Sequence, residues 1–228
     1  DDHIEWAKFT GAAWQGDGFY YSAYDAPVKG KEFSNVNENH KIYYHKMGTP
    51  QSQDQLVYQN PAHPKRFYTA SVNEDETVLF LYESGDGRGN ALYMKDLRKP
   101  NAPFVTMATD MDYNYAPMEV IGDKIYMFTN YDAPKYRLMI ADINKPALKD
   151  WTELVPESEN VLSNAGVIGG KLFLTYDKDA ANFKQPIKIE SSKYDAEANR
   201  YLNLIKYSDD SLKQLTSYFE KCKLQLRG

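Results

Sequence analysis

The chain has 228 residues, with 27 Lys and Arg against 32 Asp and Glu, a net charge of −5 and 42% hydrophobic residues. That balance fits a soluble globular protein and excludes collagen-like, low-complexity and wholly disordered chains. The longest uninterrupted apolar run, residues 78–82, is far short of the roughly 20 residues a membrane-spanning helix needs. The mild acidity argues against nucleic acid as a partner, because the Lys and Arg are scattered along the chain among carboxylates rather than gathered in a cluster. A single cysteine, Cys222, leaves no internal disulfide framework and no multi-cysteine metal site.

At the N-terminus, Asp1-Asp2-His3-Ile4-Glu5-Trp6 lacks a basic start and an apolar h-region, so it does not read as a signal peptide. The expectation is a trimmed precursor or a piece of a longer protein. The compartment stays open between cytoplasm and periplasm.

In chain order, one apolar strand recurs. It reads Phe19-Tyr20-Tyr21-Ser22, then Val78-Leu79-Phe80-Leu81-Tyr82, Ile125-Tyr126-Met127-Phe128-Thr129 and Leu172-Phe173-Leu174-Thr175-Tyr176, starting at 19, 78, 125 and 172. Each copy is rich in β-branched or aromatic residues and follows a turn. A second series keeps step: Lys41-Ile42-Tyr43-Tyr44-His45-Lys46, Ala91-Leu92-Tyr93-Met94-Lys95-Asp96-Leu97 and Arg137-Leu138-Met139-Ile140-Ala141-Asp142-Ile143, each followed by a Pro at 50, 100 or 146. Less regular strands flank these two: Ala12-Ala13-Trp14, Thr69-Ala70-Ser71-Val72, Met118-Glu119-Val120-Ile121 and Ala165-Gly166-Val167-Ile168 on one side, with others around 55–58, 104–107 and 151–155 on the other.

Four strands per unit at a period of about 40 to 50 residues predicts β-propeller blades. The expected fold is all-β, a partial β-propeller of about four four-stranded antiparallel blades over residues 1–199. Residues 200–228 read as a divergent tail, with Leu212, Leu215, Phe219 and Cys222 at the spacing of a short C-terminal helix. Residues 200–207 stand as an alternative last strand of the fourth blade.

Few constellations point to chemistry. No Gly-x-Ser-x-Gly elbow occurs, so no α/β-hydrolase triad can be assembled from this chain; no catalytic residue, metal ligand or cofactor is assigned. His40 and His45, five apart, fit neither helical nor same-face strand spacing for a shared metal. Asp110, Asp112 and Asn114 imitate the start of a calcium loop, but Tyr115 and Ile121 stand where Gly and Glu are required. Ser84-Gly85-Asp86-Gly87-Arg88-Gly89-Asn90 links two strands rather than opening a helix, so it reads as a flexible hairpin loop, with Arg88 as a secondary candidate for gripping a carboxylate. Phe67, Tyr68, Tyr113 and Tyr115 read as aromatics outside the strand register, candidates for a stacking platform. A sugar-cleaving propeller would need two facing carboxylates, which spacing cannot show.

The segments Lys8-Phe9-Thr10-Gly11-Ala12-Ala13-Trp14, Gly18-Phe19-Tyr20-Tyr21-Ser22-Ala23-Tyr24 and Lys41-Ile42-Tyr43-Tyr44-His45-Lys46-Met47-Gly48-Thr49-Pro50 resemble the propeller domain of the prolyl oligopeptidase family of serine peptidases. The likeness runs through Pro64-Lys65, residues 82–97, Tyr136-Arg137-Leu138 and Leu154-Val155-Pro156-Glu157 to about Asp179. It implies the middle blades of a seven-bladed propeller that gates an α/β-hydrolase domain cleaving short peptides after proline. That catalytic domain would be the missing partner, and the piece alone would be inactive.

The resemblance also implies pocket-lining residues. Phe9 matches an apolar aromatic of the family. Phe67 stands where the family commonly has Met after Trp, here Arg66-Phe67. Ser84 and Gly85 fall where some members carry a reactive Cys. The competing reading is a free-standing propeller that binds a peptide or protein without chemistry. Open blade edges add an expectation of self-association.

Overall fold

In a computed structural model the described residues are 2–31, 34, 36–168, 171–178 and 181–185. The chain divides into two compact units, Asp1–Pro156 and Glu157–Gly228. The first holds three four-stranded sheets, each with its strands in sequence order. Sheet one comprises β1 (Ala13–Gln15), β2 (Gly18–Ala23), β3 (Lys41–Lys46) and β4 (Gln55–Gln59). Sheet two comprises β5 (Phe67–Val72), β6 (Val78–Ser84), β7 (Ala91–Asp96) and β8 (Val105–Ala108). Sheet three comprises β9 (Tyr115–Ile121), β10 (Lys124–Thr129), β11 (Arg137–Asp142) and β12 (Thr152–Val155). Every neighbouring pair is antiparallel. These are the expected blades.

Among its described residues the second unit carries an antiparallel sheet of β13 (Val161–Ile168), β14 (Lys171–Lys178) and β15 (Ala181–Gln185). The helix expected in 200–228, the boundary at 199 and the alternative strand at 200–207 lie outside the described residues. No helix among the described residues is long and apolar enough to cross a membrane.

The apolar run at β6 has a direct physical reading, since residues on opposite faces of one strand enter different cores. Val78 and Phe80 pack with Ile125 and Met127 of sheet three, whereas Leu79 and Leu81 pack with Tyr20 and Ile42 of sheet one. A blade covered on both faces loses the polar-out half of the usual alternation, and an unbroken apolar strand is the result. Tight hairpins set the register. Gly16-Asp17 and Gly122-Asp123 are two-residue connections in which Gly16 and Gly122 take φ of 59° and 58°, a conformation that costs glycine little.

The outermost pair of each blade repeats a register shift: Ile42/Tyr43 against β4, Leu92/Tyr93 against β8 and Leu138/Met139 against β12. The residues squeezed in are Val57, Met107 and Leu154, so two consecutive side chains, such as Met107 and Ala108 or Leu154 and Val155, are buried together. Such bulges also increase the local twist.

One sequence expectation changes for three residues. Of the four aromatics expected outside the strand register, Phe67 and Tyr68 lie in β5 and Tyr115 in β9, and Tyr68 and Tyr115 are buried. The ladder partners explain it. β6 runs on to Ser84 and β10 to Thr129, which pair with Phe67 and Tyr115 and draw these residues into the sheets. Pro117 does not stop β9, because β9 is an edge strand paired only with β10, where a missing N–H is tolerated.

Charged residues tie one sheet to the next at the strand ends. Asp96, at the end of β7, accepts bonds from the Arg98 backbone N–H and guanidinium, and the same guanidinium reaches Asp123 in the β9–β10 hairpin at 2.8 Å. The Arg98 hydrogen bond holds the nearly buried Asp96 carboxyl down at about 2, below its ordinary value of 3.8. A depressed carboxyl pKa stabilises the fold above the unfolded value and loses that contribution as pH falls through the folded one. Acid titration of unfolding free energy is therefore expected to show about 2 kcal/mol disappearing between pH 4 and pH 2, and Asp96→Asn to remove that slope.

Candidate functional site

The four residues assigned to a pocket lining come together at one end of sheet two. Phe67 opens β5 and pairs directly with Ser84, the last residue of β6. Gly85 follows with φ 144°, a conformation that side chains rarely adopt, and a Cβ there would stand 3.3 Å from Arg66 Cα. Phe9 arrives from the segment before β1, its ring centroid 6.3 Å from that of Phe67 at a tilt of 42°. Both rings face solvent, Phe9 66% and Phe67 40% exposed. Large apolar side chains left in water beside one another mark a surface able to bind an apolar or aromatic group.

Beneath this surface lies a buried charge network. Glu83 is fully buried. Its Oε1 accepts from the Arg66 guanidinium at 2.9 Å and from the Tyr68 hydroxyl at 3.2 Å, and its Oε2 accepts from the Tyr93 hydroxyl at 2.8 Å. Burial, reinforced by the Glu83 charge, pushes both tyrosine hydroxyls far above the ordinary tyrosine range. They therefore act as donors at any physiological pH. Arg66 Nε also donates to Asp86 in the loop after β6, at 2.6 Å. This guanidinium thus braces the β6–β7 loop against the start of β5, immediately before Phe67. The pairing was not foreseen in the sequence; its signal was Glu83, a lone acid directly after the apolar run of β6.

Phe9 is positioned by its neighbours. Ala7 bridges to Ala23, the Ser22 amide donates to Thr10 Oγ1 at 2.7 Å, and the Lys8 carbonyl meets His40 Nε2 at 3.0 Å. A surface recess of about 320 Å³ opens beside this segment, with Trp6, Lys8, Tyr24, Asp25 and Glu38 among its walls.

The remaining candidates have other work. His40 and His45 are buried with separate partners: His45 Nδ1 lies 2.7 Å from Asp54, whose second oxygen accepts from the Tyr21 hydroxyl. Asp110 accepts from the Asp112 amide, and the Asn114 side chain donates to the Tyr136 hydroxyl. The glycine-rich loop is packed tightly, because the Gly89 amide donates to the Met111 carbonyl at 2.6 Å and that of Asn90 to the Tyr113 carbonyl at 3.0 Å. A Cβ at Gly87 or Gly89 would overlap those carbonyls, at 2.2 and 1.7 Å, so these glycines permit close backbone approach. Arg88 is exposed on that loop, and Tyr113 is half-buried, its ring edge-on to Tyr131.

Comparison with known proteins follows the same lines. The family model described as the prolyl oligopeptidase N-terminal beta-propeller domain matches residues 1–213. The chain is similar to the prolyl endopeptidase of Elizabethkingia meningoseptica, 39% identical over 182 residues that make up 79% of this chain and 25% of that protein. It is also similar to prolyl oligopeptidase A of Galerina marginata, 29% identical over 89% of this chain and 28% of the relative. Among solved structures, a chain from a study of two prolyl endopeptidases superimposes with a TM-score of 0.70 at 29% identity, over 79% of this chain and 26% of that one. Apo prolyl oligopeptidase B from Galerina marginata shares the fold, with a TM-score of 0.72 at 23% identity, over 92% of this chain and 28% of that one. The chain thus spans about a quarter of the relatives it matches, and it belongs to the prolyl oligopeptidase N-terminal β-propeller family.

Proposed function

We propose that this chain supplies middle blades to the gating propeller of a serine endopeptidase that cleaves short peptides after proline. Hydrolysis would use a Ser nucleophile activated by His, both in an α/β-hydrolase domain outside this sequence, so the piece alone is inactive. The propeller's part is to exclude folded proteins and bulk water from the reacting bond and to present an apolar surface to the substrate. The observation that carries this reading is the convergence of Phe9, Phe67, Ser84 and Gly85 on one blade end in a chain of this family.

The test compares the natural full-length protein with the 228-residue piece on a chromogenic peptide bearing proline before the scissile bond. The full-length enzyme is expected to hydrolyse it and the piece to be inert. Phe9→Ala in the full-length enzyme is expected to lower kcat/KM about fivefold, mainly through KM, since it removes contact area rather than a reacting group. No hydrolysis by the full-length protein would replace this reading with a peptide- or protein-binding module. As a piece, the chain is expected to self-associate through open blade edges, which sedimentation velocity checks.

A further inference from the structure

We propose that His40 is a positioning residue for Phe9: one buried imidazole bridges the residue before Phe9 and the residue after Phe67, and thereby sets the spacing of the two rings. Its Nδ1 accepts from the Tyr68 amide at 2.9 Å and its Nε2 donates to the Lys8 carbonyl at 3.0 Å. Both contacts reach across the chain, the Lys8 carbonyl from the segment before β1 and the Tyr68 amide from β5.

Phe9 needs such a hold. Its side chain is mostly in water and its φ is 52°, a left-handed conformation that a non-glycine residue keeps only when its surroundings impose it. Thr10 is fixed to β2 through the Ser22 amide; Lys8 is fixed through His40. The ring itself is held in place. Asn39, also left-handed at φ 60°, donates its amide to the Pro64 carbonyl at 2.7 Å, and the Tyr24 ring lies against the imidazole with centroids 4.5 Å apart.

The two bonds demand a neutral imidazole with its proton on Nε2. A second proton would set an N–H at Nδ1 against the Tyr68 N–H and open the bridge. The titratable groups around the ring are Tyr24 and Tyr68, whose rings face it, Lys8, whose ammonium reaches Asn37, Lys41, which pairs with Asp25, and Glu38 two residues before. Burial keeps the imidazole less basic than a free histidine, so the bridge persists at neutral pH and yields on acidification.

The amide isosteres separate positioning from mere packing. His40→Gln places an N–H where Nε2 stands and keeps the Lys8 bond. His40→Asn places an oxygen where Nδ1 stands, keeping the Tyr68 bond and releasing Lys8. In the full-length protein with 4-fluorophenylalanine at position 9, the ¹⁹F resonance is expected to shift as pH falls, with a midpoint below about 6.5. That titration should vanish in both variants; the neutral-pH shift of H40Q should match wild type and that of H40N should not. For the proline peptide, H40N is expected to raise KM about fivefold with kcat within about twofold, and H40Q to restore KM.

Only the kinetic arm rests on the peptidase reading. A normal ¹⁹F response with no effect of H40N or F9A on hydrolysis would overturn the substrate role of Phe9 and leave the positioning role standing. A pH-independent ¹⁹F resonance, or H40Q and H40N spectra alike, would overturn the positioning role.

Discussion

Arg66→Ala is expected to destabilise the first unit by about 3–5 kcal/mol, read as a shift in the urea midpoint at constant slope. Glu83 is fully buried and Arg66 is its cationic partner. Removing the guanidinium leaves an ionised carboxylate with only tyrosine hydroxyls and a distant Asn60 amide at 3.5 Å to solvate it. The penalty comes from stranding that charge rather than from losing an attractive pair. Two comparisons fix the cause. Asp86→Ala removes Arg66's other, more exposed partner and is expected to cost less than about 0.5 kcal/mol. Arg66→Leu combined with Glu83→Gln removes both charges, and it is expected to recover most of the loss because neutral Gln can still bond to the two tyrosines.

The second large effect is in the shared core. Phe80→Ala is expected to cost about 3–5 kcal/mol in the same measurement. Phe80 sits between sheets two and three, packed with Val78, Ile125 and Met127, and both sheets hold rigid ladders on either side of the vacated volume. Little collapse can fill the cavity, which places the cost toward the upper end of the range. Val36→Ala makes a contrast. That residue is 73% exposed, and its truncation is expected to change stability by less than about 0.5 kcal/mol.

The inner strands were legible in the sequence because burial on both faces writes an unbroken apolar run, as in β6 and β10, and because the glycine turns recur in step. The outer strands were harder to read. Their burial runs exposed, exposed, buried, buried in β8 and β12, a pattern that neither alternation nor an apolar run matches and that arises from the bulge. The candidate pocket-lining residues come from family resemblance alone; nothing in local periodicity brings Phe9 to Phe67, because residues 24–40 and a sheet change intervene. The floor of the site was missed for a related reason. Glu83 directly follows the apolar run of β6, and only the fold shows that Arg66, seventeen positions earlier, and two tyrosines close over it. The spacing of His40 and His45 speaks against a shared metal but does not show what His40 does, since both of its nitrogens are spent on backbone groups distant in sequence.

The repeated bulge bears on how these blades tolerate changes of length. Side chains on a strand alternate faces, so deleting one residue ordinarily turns everything beyond it inside out. In β4, β8 and β12 the surplus residue already absorbs one such step. Deleting Met107 would return β8 to a regular ladder, leaving Ala108 and Thr106 in their present phase and removing a single apolar side chain. In the outer strand of such a blade the loss of that one residue therefore leaves every inner strand in frame, at the cost of one buried side chain from the shared core.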